Sequence, residues 1–313
     1  MSRLQLPLAL SLAFTLVACG SSSDDTATPP APQTIVGTAQ AVPELSILVE
    51  AVVAADLATT LSSPGPFTVF APTNAAFAAL LAELGVTKAQ LLADKPLLTA
   101  VLTYHVLPAR VLKSQVQPGK AITTVQGGIF KIDQAGMDLV ITDGRNRTSK
   151  ITATDIATSN GVVHLVDKVI LPANKNIVET ALSLPDFSIL AEAVVAADLA
   201  TTLSGTGPFT VFAPTNAAFA ALLTELGVTK AQLLANKPLL TAVLTYHVLG
   251  ARVLKADIVP GNQPATVQGE TFAISPALVI TDKRMRTANI TAADVFASNG
   301  VIHVIDHVIL PAP

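Results

Sequence analysis

The side chains best suited to acid–base or metal chemistry are five histidines, His105, His164, His247, His303 and His307. Neutral imidazole is both a common metal ligand and a general base near neutral pH. Their spacing argues against a shared site. His303 and His307 read as residues of one strand, where four steps of about 3.3 Å place them roughly 13 Å apart, too far to share a zinc ion held at about 2 Å. Tyr104 and His105, like Tyr246 and His247, are sequential at a helix end, so their side chains diverge and adjacency alone does not make a cooperating pair. They read as a half-buried tyrosine beside a backbone-bonded histidine, with a recognition site as the alternative. His164, in an alternating apolar strand with Asp167 three positions on, reads as structural. Asp155 and Asp294 precede the last strand of each half in polar stretches, where an aspartate closes a turn through its own backbone or serves as a contact residue. Arg145, Arg147 and Lys150, matched by Lys283, Arg284 and Arg286, form a small basic tip. It reads as a solvated hairpin that could otherwise meet an acidic polysaccharide. No Gly-x-Ser-x-Gly elbow, His-Glu-x-x-His pair or phosphate-binding glycine loop occurs. The chain therefore reads as a binding protein rather than an enzyme, with no metal and no cofactor expected.

These residues must be positioned by local elements whose signals are clear in the first half. Leu45, Leu48, Val49, Val52, Val53 and Leu57 recur at spacings of three and four, which predicts an amphipathic helix. Phe67–Phe70 reads as a strand. Ala75–Leu84 reads as a helix capped by Thr73 or Asn74 and closed by Gly85. Further helices are expected over Lys88–Leu92 and Pro96–Val106, the proline suiting a first turn whose N–H has no partner to lose. From Arg110 the periodicity changes to two, predicting strands over 110–116, 123–126, 129–132, 139–142 and 162–170, split by Pro118-Gly119, Gly127-Gly128 and Asp143-Gly144. A helical part followed by a β part is the pattern of an α+β domain.

The same order recurs. Pro66-Phe67-Thr68-Val69-Phe70 returns as Pro208-Phe209-Thr210-Val211-Phe212, and from Pro66 to Lys113 the copies differ only at Ala82/Thr224, Asp94/Asn236 and Pro108/Gly250. A loop is shorter in the second copy, where Ser275-Pro276-Ala277 replaces Asp133 to Asp138. We place the units at 34–172 and 176–313, joined by Ala173-Asn174-Lys175. Before them, Arg3 and the apolar run Leu4–Ala18 read as an export signal, 1–18. Leu16-Val17-Ala18-Cys19 resembles the lipobox of bacterial lipoproteins, so Cys19, the only cysteine in the chain, is expected to carry lipid and to anchor the protein in a membrane. Residues 19–33, rich in Ser, Asp, Pro and Ala, read as a flexible tether. A formal charge of −3 with dispersed acids and bases gives no electrostatic case for nucleic acid.

Three ordered blocks carry a family resemblance: Phe67 to Asn74 with Phe77; Tyr104-His105; and Asn160-Gly161-Val162-Val163-His164-Leu165-Val166-Asp167, closing in Ile170-Leu171-Pro172. The second copy repeats them as Phe209 to Asn216 with Phe219, Tyr246-His247 and Asn299 to Asp306. Together they resemble the fasciclin (FAS1) family. The resemblance implies two tandem domains, each a wedge of two β-sheets flanked by several short helices. It further implies a role in adhesion or matrix binding outside the cell, and no catalytic residues. Integrin binding by animal matrix members has been linked to the Tyr-His block and to an Asp-Ile pair. Carried to this chain, the positions are Tyr104, His105, Asp155 and Ile156 in the first copy and Tyr246, His247 and Asp294 in the second, where Val295 replaces the isoleucine. The expected partners are surface or matrix proteins or polysaccharides, and the expected location is a bacterial envelope, at the outer membrane or cell surface. The alternative is an envelope protein that captures a small molecule, lipid or glycan in a pocket between helices and sheet; a hydrolase is a more remote reading.

Overall fold

The computed structural model describes residues 32–313 apart from Pro260 and Asn262. The expected export signal and Cys19 lie outside the described residues, as does nearly all of the tether. Among the described residues no single helix is long and apolar enough to cross a membrane.

The first copy opens with α1 (Ile35–Ala41), α2 (Ser46–Ala54) and α3 (Ala58–Ser62), followed by β1 (Phe67–Pro72) and α4 (Asn74–Leu84). Next come α5 (Lys88–Ala93), α6 (Lys95–Tyr104) and β2 (Val106–Leu107), and then β3 (Ala121–Thr123), β4 (Ile129–Ala135), β5 (Asp138–Thr142), β6 (Thr148–Thr158) and β7 (Gly161–Val166). The second copy repeats this as α7 (Ile177–Leu182), α8 (Ser188–Ala196), α9 (Ala200–Leu203), β8 (Phe209–Pro214), α10 (Asn216–Leu226), α11 (Lys230–Ala235), α12 (Lys237–Tyr246) and β9 (Val248–Leu249). It ends in β10 (Ala273–Ile274), β11 (Val279–Thr281), β12 (Thr287–Ala297) and β13 (Gly300–Ile305).

Local chemistry explains the helix limits. The Thr73 hydroxyl accepts from the Ala76 amide at the start of α4, and Gly85, at φ 66°, closes it in the left-handed conformation that glycine adopts without a Cβ penalty. Asn74, the other candidate cap, instead ties α4 to the start of α2, accepting from the Ile47 amide at 2.9 Å and donating to the Pro43 carbonyl. Thr87 and Gln90 form a capping box on α5, and Asp94 accepts from the Leu97 amide at the start of α6.

Strand order β2-β1-β7-β6-β5-β4-β3 makes one continuous, curled ladder. Its two arms share β6: residues 148–150 pair with β5, whereas Ile151 to Thr158 pair with β7 across two register shifts. β1 runs parallel to β7, as β8 does to β13. Both strands are buried on both faces over most of their length, which explains their unbroken apolar character. On one side the helices pack Leu48, Val52, Phe77, Leu98 and Val101 against β1 and β7. On the other, Phe70, Tyr104, Phe130, Ile132, Ile141 and Ile170 fill the wedge between the arms.

Several elements differ from the sequence reading: the strand expected over 123–126 lies at Ala121–Thr123, the one expected over 162–170 ends at Val166, and α3 and β2 were not anticipated. Residues 110–116, expected as a strand, form a loop with a single 3-10 turn at Lys113–Gln115. They are held by tertiary bonds, the Val111 amide donating to Thr68 Oγ1 at 2.8 Å. The long strand β6, read as a polar turn region, is a strand because β7 and β5 pair with it. The α1 helix was not anticipated; the Asn160 side chain accepts from the Ile35 amide while donating to the Leu61 and Ser63 carbonyls.

Candidate functional site

Tyr104 and Tyr246 are fully buried, and His105 and His247 are 1% exposed. The Tyr104 hydroxyl donates to the Ile129 carbonyl and accepts from the Gly144 amide at 2.8 Å, joining the end of α6 to two loops of the β arm. His105 Nδ1 lies 2.7 Å from the Val101 carbonyl while Nε2 accepts from the Ile170 amide at 3.1 Å, so the ring is neutral with its proton on Nδ1. Burial pushes its pKa down to about 4, opposed by the bond to Val101, and His247 is depressed to the same value for the same first reason. Neither pair presents a side chain to an outside partner.

His164 is likewise 2% exposed; Nε2 donates to the Val111 carbonyl and Nδ1 accepts from the Asp155 amide at 3.1 Å. That last bond places Asp155 in the β6 bulge, at φ 61°. There its carboxylate accepts from the Lys113 amide at 2.8 Å and otherwise faces solvent, with Ile156 half-buried beside it. Asp155 and Ile156 are therefore the members of the first-copy set that lie at the surface. Among the described residues no group of three or more His, Cys, Asp or Glu side chains could hold a metal.

Asp294 occupies the matching bulge of β12, at φ 62°, and accepts from the Lys255 amide at 2.7 Å. Its surroundings differ, because the first copy covers it. Lys131, on β4, donates to Asp294 at 2.8 Å, with side-chain exposures of 15% and 2%. Burial depresses the Lys131 ammonium, but the hydrogen bond and charge of Asp294, helped by Asp133, outweigh it and hold the pKa above the ordinary value. Asn146 pairs with the backbone of Phe296, accepting from its amide at 2.6 Å and donating to its carbonyl at 3.1 Å. Ile129 packs with Leu254, Phe296 and Val301 across the junction, and Lys120 pairs with Asp257 at 2.7 Å.

None of Lys131, Asn146, Phe296 and Asp257 was singled out as a contact residue from sequence. The signal that could have found them is divergence between near-identical copies, since their partners are Ala273, Met285, Ala157 and Gln115. Asp143 was also missed, as a structural hub rather than a binding residue. It is 1% exposed and accepts from the amides of Arg145, Arg147 and Leu171 and from the Arg147 guanidinium. Arg147 also reaches Glu83. The expected basic tip is thereby partly neutralised.

The fasciclin domain model matches residues 43–172 and again 185–311. The chain belongs to the fasciclin family. A pig protein, transforming growth factor-beta-induced protein ig-h3, is 33% identical over 255 residues, covering 80% of this chain but only 35% of its own length. Protein sll1483 of Synechocystis sp. is 49% identical over 138 residues, covering 43% of this chain and 73% of its own. A solved FAS1 domain pair from the insect cell adhesion molecule fasciclin I aligns over 85% of this chain and 97% of that one, at 20% identity and a TM-score of 0.44. Both fasciclin domains thus keep the family's sequence blocks for internal work. Tyr-His fastens α6 to the sheet, and the Asn-Gly of the last block fastens α1 and α3 to the hairpin.

Proposed function

We propose that this chain is an exported, lipid-anchored protein of a bacterial envelope that binds surface or matrix proteins or polysaccharides through its fasciclin domains. The observation that carries the reading is the tandem fasciclin pair preceded in sequence by the apolar run Leu4–Ala18, the lone Cys19 and a Ser-, Asp-, Pro- and Ala-rich stretch. Two further points support binding rather than catalysis. Both ring nitrogens of His105, His164, His247 and His303 are committed to backbone groups, so none is a free base. The cavities between helices and sheet, lined by Leu48, Val52 and Val69 in one copy and Leu190, Val194 and Val211 in the other, hold only about 30 Å³ each, space for a water or two. That volume does not admit a lipid or a sugar, so the pocket alternative has no support there.

In a two-part test, Cys19→Ser protein is expected in the soluble fraction while the parent sediments with membranes; a parent chain found in the cytosol with its leader intact would end the anchoring reading. Cells displaying the parent chain are expected to adhere to polysaccharide- or matrix-coated surfaces. Adhesion equal to that of cells lacking the protein would end the binding reading. Asp155→Ala is expected to weaken adhesion and Asp294→Ala to do so only through the fold, because its carboxylate already has its partners.

A further inference from the structure

Docking of the two domains creates a pair of cavities, of about 320 and 480 Å³, that meet at Gly144 and Phe296. Each lies in the size range of ligand sites rather than packing defects. We propose that this junction cleft binds an acidic saccharide chain, one bearing carboxylates on successive or alternate sugars; the inference refines the binding reading above by naming a site and a ligand class.

Charge is the first argument. Among the described residues, neither lining includes an aspartate or a glutamate, whereas Arg252 lines one chamber and Arg145 and Lys175 the other. None of these three makes an ion pair among the described residues. The acids nearest Arg145, Asp143 and Glu83, are both held by Arg147, and Arg145 itself reaches only the Pro172 carbonyl, at 3.4 Å. The acidic side chains of the interface, Asp257 and Asp294, are consumed elsewhere by Lys120 and Lys131. The cleft is left with bases alone.

Arg252 supplies the second argument. Its Nε is buried with no hydrogen-bond partner among the described residues, and a buried donor left unpaired calls for an explanation. Burial also depresses the guanidinium below its ordinary pKa, a cost that an incoming anion would relieve. Its first-copy counterpart Arg110 is exposed, so the feature belongs to the docked pair and not to each domain. The ligand class follows from what surrounds the charges. Gln126, Asn174, Ser183 and Ser298 offer amides and hydroxyls suited to sugar hydroxyls, and two chambers in series suit a chain rather than a compact ion.

The test is calorimetric titration of residues 20–313 with tetragalacturonate, and with maltotetraose as the neutral counterpart. The expected result is saturable binding of the acidic tetramer alone, weakening as ionic strength rises from about 0.05 M to about 0.5 M. Arg252→Gln and, independently, the exposed Lys175→Gln are each expected to weaken it by roughly tenfold, with Arg110→Gln without effect. Thermal unfolding of each variant checks that the pair still docks. Absence of saturable binding, equal binding of maltotetraose, equal losses with Arg110→Gln, or preference for tetraglutamate would each overturn the proposal. Adhesion by displayed protein that survives Arg252→Gln and Lys175→Gln would remove this site while leaving the broader binding reading intact.

Discussion

Asp155 and Asp294 sit in the same bulge of the same strand in two copies of one domain, both in the left-handed conformation and both accepting from an amide of the preceding loop. One faces solvent; the other is 4% exposed beneath Lys131. The difference shows that duplication alone does not yield two equivalent surfaces. In the second copy Ala273 stands where Lys131 does and Met285 where Asn146 does, so it lacks the groups with which the first copy covers it, and in the first copy Ala157 stands where the covered Phe296 does. The contact is heterologous, the kind that propagates into filaments unless something stops it. Here the divergence at those positions supplies the stop.

The largest expected effect tests what the copies share. His105 and His247 have native pKa values of about 4 against an ordinary 6.5, so the unfolded chain takes up protons first as pH falls. Stability is complete above about pH 6.5 and declines toward pH 4, by roughly 3 kcal/mol for each histidine. Urea midpoints measured between pH 7 and 4 should fall, and if the domains unfold separately both transitions should move together; a midpoint independent of pH would contradict the neutral buried rings.

Next in size is the contrast between the aspartates. Asp294→Ala leaves a mostly buried Lys131 ammonium with only the half-exposed Asp133, at 3.3 Å, and should cost about 2 kcal/mol, against about 1 kcal/mol for Asp155→Ala, which loses only an exposed amide bond. Strain from the left-handed backbone is common to both and cancels. Equal losses in chemical denaturation would mean that the junction does not form in solution.

A smaller effect carries opposite signs. Asn146 and Met285 both have φ near +61°, where glycine relieves strain. Met285→Gly, at a side chain 81% exposed, should be neutral or stabilising by up to about 0.5 kcal/mol. Asn146→Gly loses both bonds to Phe296 and should cost about 1 kcal/mol net. Stabilisation by both variants would remove Asn146 from the interface. The smallest change is expected at Lys95→Ala and Lys237→Ala, whose partners Asp56 and Asp198 are largely exposed. Each should shift stability by less than about 0.5 kcal/mol, equally in the two copies.

Much of this was legible in the residues themselves. A cap at Thr73 or Asn74, the stop at Gly85 and the apolar runs of β1 and β7 act within a few residues of where they stand, so pattern reading finds them, whereas the Thr87/Gln90 box emerged only from the structure. The repeat and the family blocks are visible for the same reason. Residues 110–116 and 148–158 were misjudged because long-range partners, Thr68 for the first and β5 and β7 for the second, override their local preferences.

By itself the sequence determined that the chain holds two copies of one α+β unit, and it marked the Tyr-His and Asp positions as candidates, because those signals are local or repetitive. Only tertiary structure decided that Tyr104, His105, Tyr246 and His247 face inward, that Lys131 reaches Asp294, and that Arg252 ends in a cleft without an acid. Those outcomes depend on which surfaces meet across large separations in the chain, and a surface is defined only once the sheets have curled and the two domains have docked.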